Sequence, residues 1–164
     1  MNEIDYIRSF YAYHTWATER VFATAAQLTP EQFVAPVHAS FGSLRDVLTH
    51  TVVVESSWLA RVRGEQPSPA LFQRNFGSVD ELASAWREIN AITQATLDQL
   101  SDEDFAQVVH FTGRDGQPVA RVRWQMLVHQ ANHAAQHRAE VALIMTQLGL
   151  STGDIDYFRF VDAR

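Results

Sequence analysis

The chain has no cysteine and no lysine among its 164 residues. The first absence removes thiol nucleophiles, disulfides, thiolate zinc sites and cysteine-held iron–sulfur clusters. The second removes Schiff-base chemistry and the phosphate-binding lysine of a P-loop, and it makes all 13 basic residues arginine. Any metal must therefore be held by nitrogen and oxygen, and seven histidines are there to hold it. A surplus of positive charge is also missing. Nineteen acidic residues leave a net charge of −6, which argues against general binding to nucleic acid or an anionic membrane. Apolar stretches such as Thr51–Val54 fall far short of the roughly 20 residues that span a bilayer. The opening Met1–Asp5 is acidic where a secretory signal is basic, and no apolar stretch follows it, so a cytoplasmic protein is expected. What remains is an ordinary globular profile, 46% hydrophobic and 20% charged, long enough to bury a full core. With no internal repeat or shift of composition, residues 1–164 read as a single domain.

Helical spacing dominates. Ile4, Ile7, Tyr11, Phe22 and Leu28 place a first helix from about residue 3 to Leu28. Thr29-Pro30-Glu31 offers a new helix start, and Phe33–Gly42 reads as a connection. Ser43 with Asp46 resembles a capping box that opens a helix running to Val62 and stopping near Gly64. Gly64–Pro69 is a loop by its proline content, and Ser78 with Glu81 caps a third helix ending near Leu100. Val108, Val109, Phe111, Val119 and Val122 then flank Arg114-Asp115-Gly116-Gln117, a strong short-range signal for a β-hairpin. A last long helix runs from about Arg123 to Leu148 and ends at Gly149. The tail beyond it carries Tyr157, Phe158 and Phe160 and is expected to dock on the domain. The fold class that follows is all-α: an antiparallel four-helix bundle with a small β-hairpin inserted before the last helix.

His129, His133 and His137 follow one another at steps of four on that last helix. Each step turns about 40° around the axis, so the three share a slowly rotating face that continues through Val141, Ile144 and Leu148. The pattern makes it the core face. A histidine buried there must satisfy its ring nitrogens or lose about 1–3 kcal/mol per unpaired group, and a metal ion satisfies one of them directly. His50 lies among Val47, Val54 and Trp58 and by the same reasoning points inward. With either His129–His133 or His133–His137 it gives three neutral nitrogen ligands and an open position, which is the catalytic pattern for zinc. For any single histidine a hydrogen-bonded core role is the simpler reading. Three in one register, facing a fourth, are harder to explain that way. Two other metal motifs fail: Ala134 follows His133 where an H-E-x-x-H protease has Glu, and no Glu-x-x-His repeat of a di-iron bundle occurs. Trp58, Trp86 and Trp124 read as packing, Arg138 as a salt-bridge partner on the adjacent face, and His14 as facing either the pocket or solvent. His38 and His110 fall in the connection and the hairpin, where either can face outward.

Taken in order, these segments resemble the DinB/YfiT-like superfamily of four-helix bundles with a histidine-based metal site. Tyr13–Arg20, with Trp16, is similar to its first-helix segment, and Ser43–His50 with Glu55 and Trp58 to its second-helix motif. Leu127–Arg138 resembles its last-helix motif, and Gly149 with Asp154–Tyr157 its closing segment, so the match runs nearly end to end. The resemblance implies His50, His133 and His137 as the metal ligands, and imidazole ligands suit a divalent ion, zinc first, with nickel and iron as alternatives. It leaves His129 to support the ligands or to pack in the core. Where members often have Gly-Gln, this chain has Ala139-Glu140; Glu140 lies three residues past His137 and is expected to hydrogen-bond a ligand. Tyr157 and Arg159 are candidates to line the pocket if the tail folds over the bundle mouth.

Some members are similar to thiol-dependent S-transferases and isomerases that use bacillithiol or mycothiol. The expected function is therefore a metal-dependent transferase that activates a low-molecular-weight thiol, or water, for attack on a small electrophile. The alternative is a non-catalytic bundle with a structural metal or a small-molecule-binding role, closed by Glu140 or His129 as fourth ligand. The expected partner is a small-molecule substrate, with neither nucleic acid nor membrane, and the resemblance implies a second copy in a homodimer.

Overall fold

The computed structural model describes residues 3–113 and 115–164. Among them the chain forms α1 (Glu3–Ala25), α2 (Pro30–Val34), α3 (Leu44–Val62), α4 (Pro69–Phe72), α5 (Val79–Gln99), α6 (Asp102–Ala106), β1 (Val108–Thr112), β2 (Pro118–Val122), α7 (Arg123–Gln147) and α8 (Tyr157–Asp162). The starts follow the local chemistry. Thr29 and Gln32 form a reciprocal capping box on α2, and the Ser43 hydroxyl accepts the Asp46 N–H while donating to its carboxylate. Ser78 accepts the Glu81 N–H, but the Glu81 carboxylate reaches one residue further back, to the N–H of Gly77. A second full capping box, Ser101 with Asp104, opens α6, a helix the hydrophobic spacing does not announce.

The expected four-helix bundle and hairpin are both present. The four long helices stand in the ring order α1–α7–α3–α5. Arg8 of α1 donates to the Leu97 carbonyl of α5 and Arg87 pairs with Glu19, so α1 and α5 are antiparallel. Arg123 donates to the Val62 carbonyl while Glu140 meets Ser40, so α3 and α7 are antiparallel too. Tyr11 meets Gln130 and Arg138 meets His14, so α1 and α7 run parallel, and hence so do α3 and α5. One consequence is that segment 63–78 must return along the length of the bundle. The other is that the connections after α1 and α5 cross its ends.

The core has two apolar halves. One centres on Phe22, Val47, Leu82, Trp86 and Met145, the other on Ile4, Tyr11, Leu97, Phe105 and Met126. Buried polar residues His14, Glu55 and Arg138 lie between these halves along α1, α3 and α7. The hairpin pairs Val108 with Val122 through Thr112 with Pro118. Its connection is longer than a two-residue Asp-Gly turn: Gly113 donates to the Gln117 carbonyl, and Gly116 takes φ +79°. Arg114 lies outside the described residues. Val109, Phe111, Val119 and Arg121 share the hairpin face turned to the bundle, where Phe111 stands edge-on to Trp58. The tail docks as expected, with Phe160 buried against Tyr13 and Trp16 of α1. Among the described residues, no helix is long and apolar enough to cross a membrane.

Candidate metal centre

Antiparallel packing of α3 against α7 brings His50 opposite His133 and His137, with one ring nitrogen from each within 4.8 Å of the others. The Nε2 atoms of His50 and His133 are 3.2 Å apart. Ring centroids of His133 and His137 are separated by 4.6 Å, and those of His50 and His137 by 4.9 Å. The expectation that these side chains occupy the core face needs correction. The buried stripe of α7 runs through Leu127, Ala131, Ala134, Arg138, Val141 and Met145, while His133 and His137 are half-buried and His129 is exposed. The stripe and the histidines differ by one position, about 100° of rotation, so the histidines sit in the seam between α3 and α7. His50 behaves likewise: Val47 is buried, but Val54 and Trp58 are half-buried at the same seam.

The seam is built to hold these rings. The Glu140 carboxylate receives the N–H and hydroxyl of Ser40, each at 2.5 Å, and lies 2.9 Å from His137 Nδ1. A carboxylate only accepts, so His137 carries its proton on Nδ1, which leaves the lone pair on Nε2. Burial pushes the Glu140 carboxyl up, but hydrogen bonds from Ser40 and His137 outweigh it and hold the group below the usual range. Phe41 stacks on His50 at 4.2 Å. His133 Nδ1 is buried with no hydrogen-bond partner. Burial, and then the nearby His137, His50 and His129, push the His133 pKa from 6.5 down to about 4, against a smaller opposing pull from Glu55. The ring is therefore neutral near pH 7 and offers a lone pair.

This donor set fits a divalent cation. Nitrogen ligands of tetrahedral zinc at 2.0–2.1 Å stand about 3.4 Å from each other, close to the His50–His133 separation. The carboxylate on the outer nitrogen of His137 is the arrangement that orients metal-bound imidazoles. Among the described residues, no fourth His, Cys, Asp or Glu joins the group. Glu140 is engaged by Ser40, and the His129 ring stands 6.2 Å from that of His133, packed edge-on against Trp58. On the outer side His50 and His133 line a cleft of about 410 Å³ between α3, α7, the hairpin and Phe72 of α4.

Behind the seam lies a buried polar chain that sequence reasoning missed. Arg138 Nη1 donates to His14 Nδ1 at 2.5 Å, which makes His14 a neutral ring with its proton on Nε2. That nitrogen lies 3.2 Å from Glu55 Oε1 without hydrogen-bond geometry, which leaves Oε1 buried and unbonded, while Glu55 Oε2 accepts the Trp86 indole N–H at 3.0 Å. His14 is thus buried rather than facing solvent, and Arg138 meets a histidine where a salt bridge was expected. Burial lowers the Arg138 pKa, with Tyr13 and Glu55 opposing the shift. The available signal was a carboxylate on the core stripe of α3 and an arginine on that of α7. Neither residue suits an apolar stripe without a partner.

The tail does not reach the histidines. Tyr157 packs on α1 against Phe10 and Tyr13 with its hydroxyl at Ser9, and exposed Arg159 pairs with Asp154, so neither lines the cleft. His38 and His110 are exposed. Trp58 borders the cleft, Trp86 is core, and Trp124 is exposed.

The family model described as DinB family matches residues 1–164. The chain belongs to the DinB family. It is 21% identical to Protein DinB of Bacillus subtilis (strain 168) over 160 residues, 93% of this chain and 92% of that protein. A DinB-like protein from Bacillus cereus ATCC 10987 has a similar structure, with TM-score 0.69 and 21% identity over 88% of this chain and 94% of the other. YfiT from Bacillus subtilis, described as a probable metal-dependent hydrolase with an unusual four-helix bundle topology, superposes with TM-score 0.60 at 15% identity, covering 91% of this chain and 90% of its own. At these identities the structural likenesses establish the fold.

Proposed function

We propose that this DinB-family chain is a metal-dependent enzyme in which His50, His133 and His137 hold one divalent cation at the α3–α7 seam, zinc before nickel or iron. The observation that carries the reading is the three-histidine group with no fourth side-chain donor among the described residues, two of whose members, His50 and His133, line a cleft of about 410 Å³. A cation held by neutral imidazoles keeps its charge and supplies Lewis acidity that draws the pKa of a thiol or water toward neutrality. The chain's own residues do the rest. Glu140 fixes the proton of His137 on Nδ1, Phe41 shields one face of His50, and burial keeps His133 neutral. The cleft admits a small electrophile and holds it against the seam.

The nucleophile we propose is a low-molecular-weight thiol, since the chain has no cysteine to supply one. Likeness to YfiT, described as a probable metal-dependent hydrolase, favours water as the second reading. Cobalt(II) substitution tests both against a closed, purely structural site. An open position predicts a change in the visible cobalt spectrum on adding 2-mercaptoethanol, with a new sulfur-to-metal charge-transfer band. A spectrum that responds to neither the thiol nor azide contradicts the enzyme. Response to azide but not to thiol favours water.

A further inference from the structure

The cleft beside the histidines carries a charge pattern at odds with the rest of the molecule. The chain has 19 acidic residues against 13 arginines, yet the cleft is lined by Arg61 and Arg121 and by no Asp or Glu among the described residues. Arg61 is a fixed charge. Its guanidinium carbon stands 5.3 Å from the ring centroids of both Trp58 and Phe111, and its Nη1 donates to the Ser57 carbonyl at 3.2 Å. Arg121 lies directly across the hairpin from Val109, which puts it on the bundle-facing side of β2. Between these cations and the histidines the walls are apolar and aromatic, with Val54, Trp58, Phe111 and Phe72. The volume of about 410 Å³ falls in the range that takes a small organic molecule.

We infer that the cleft selects a small organic anion: a carboxylate or phosphate held by Arg61 and Arg121, an apolar or ring-bearing body against Trp58 and Phe111, and the reacting end at the histidine seam. The inference rests on the seam being the reactive end, as proposed above. Its length follows from the helix. Arg61 is 11 residues beyond His50 on α3, about 16 Å along the axis, which sets the scale of the distance between anion and reacting atom. A planar guanidinium held by two ring faces suits a planar or tetrahedral oxyanion better than a mobile ammonium would. With two arginines and no carboxylate among the described lining residues, the field of the cleft draws anions and repels cations.

A carboxylate can also bind a metal directly, so the deciding experiment is made first on metal-free chain. The affinities of 4-phenylbutyrate, 2-phenylethyl phosphate and the uncharged 4-phenylbutyramide are measured by calorimetry, at two salt concentrations. The anions are expected to bind at least about tenfold more tightly than the amide, as one charge-assisted hydrogen-bonded pair allows. Arg61→Gln should remove that preference, and Arg121→Gln, at an exposed strand position, should reduce it with the thermal midpoint unchanged. The ratio of carboxylate to phosphate affinity identifies which anion the site prefers. Equal affinities for anions and amide, binding of none of the three, or a preference that appears only on zinc-loaded chain would overturn the inference. A preference kept in metal-free chain that also fails to take up zinc would sustain the anion site and overturn the metal centre, so the two claims fail separately.

Discussion

Glu140 and Glu55 show how one residue type serves two ends. Glu140 sits at the seam with Ser40 and His137 as donors, where its charge raises the basicity of the inner His137 nitrogen. Glu140→Gln preserves the shape and removes that charge; metal affinity should fall about 10- to 100-fold in a chelator competition, the cost common to such outer carboxylates. An unchanged affinity would mean that the hydrogen bond to His137 does not tune a ligand. Glu55 lies in the core, the acceptor for Trp86 and the counter-charge to Arg138 through His14. Glu55→Ala leaves the buried Trp86 indole N–H without its acceptor and removes a charge that opposes the burial of Arg138, and should lower the unfolding free energy by about 1–3 kcal/mol in urea titration. A loss under about 1 kcal/mol would show that the indole N–H finds another partner or water. These residues also mark where the sequence was hard to read. The neighbours of Glu55, His14 and Trp86, come from two other helices, and no spacing within one helix reveals a contact across 31 or more positions.

Helix starts were legible because their chemistry is local. Thr29, Ser43 and Ser78 each cap a helix within three residues of themselves. The short α4 and α6 escaped because four or five residues carry no period. The hairpin was read from β-prone runs about Asp115-Gly116, while its five-residue connection depends on pairing that the turn signal alone does not set. Spacing and resemblance single out His50, His133 and His137, which the structure brings together, but on a face one position away from the buried stripe of α7. A row at steps of four drifts 40° each time, so the same helix can put Val141 in the core and His133 at its edge. That edge position governs the response to pH. His133 titrates near 4 in the folded, metal-free chain and near 6.5 when unfolded, so the unfolded state binds more protons between these values. Its contribution to stability is full above about pH 6.5 and is lost progressively toward about pH 4. The thermal midpoint of metal-free wild type should fall over that window more steeply than that of His133→Ala. Parallel pH profiles for the two proteins would show that His133 is not held neutral by the seam.

Across the whole molecule, the ring order α1–α7–α3–α5 makes α3 and α7 neighbours although 60 residues separate the end of one from the start of the other. A cation at the seam would stitch these two antiparallel helices together. Through the DinB-family bundle the same contact fixes the floor of the cleft, while the hairpin and segment 63–78 supply its walls. Ligand binding to the folded state alone adds about 2.7 kcal/mol at a hundredfold excess over the dissociation constant, so loading should also stabilise the bundle. The most direct measurement is the metal content of untagged protein by mass spectrometry, for wild type and for His50→Ala, His133→Ala, His137→Ala and His129→Ala, each checked for helicity. The account predicts about one divalent ion per chain in wild type and in His129→Ala, and loss of that ion in each of the other three while they stay helical. Wild type that remains empty after incubation with zinc, nickel and iron, or ion retained when His50, His133 or His137 is removed, would contradict it.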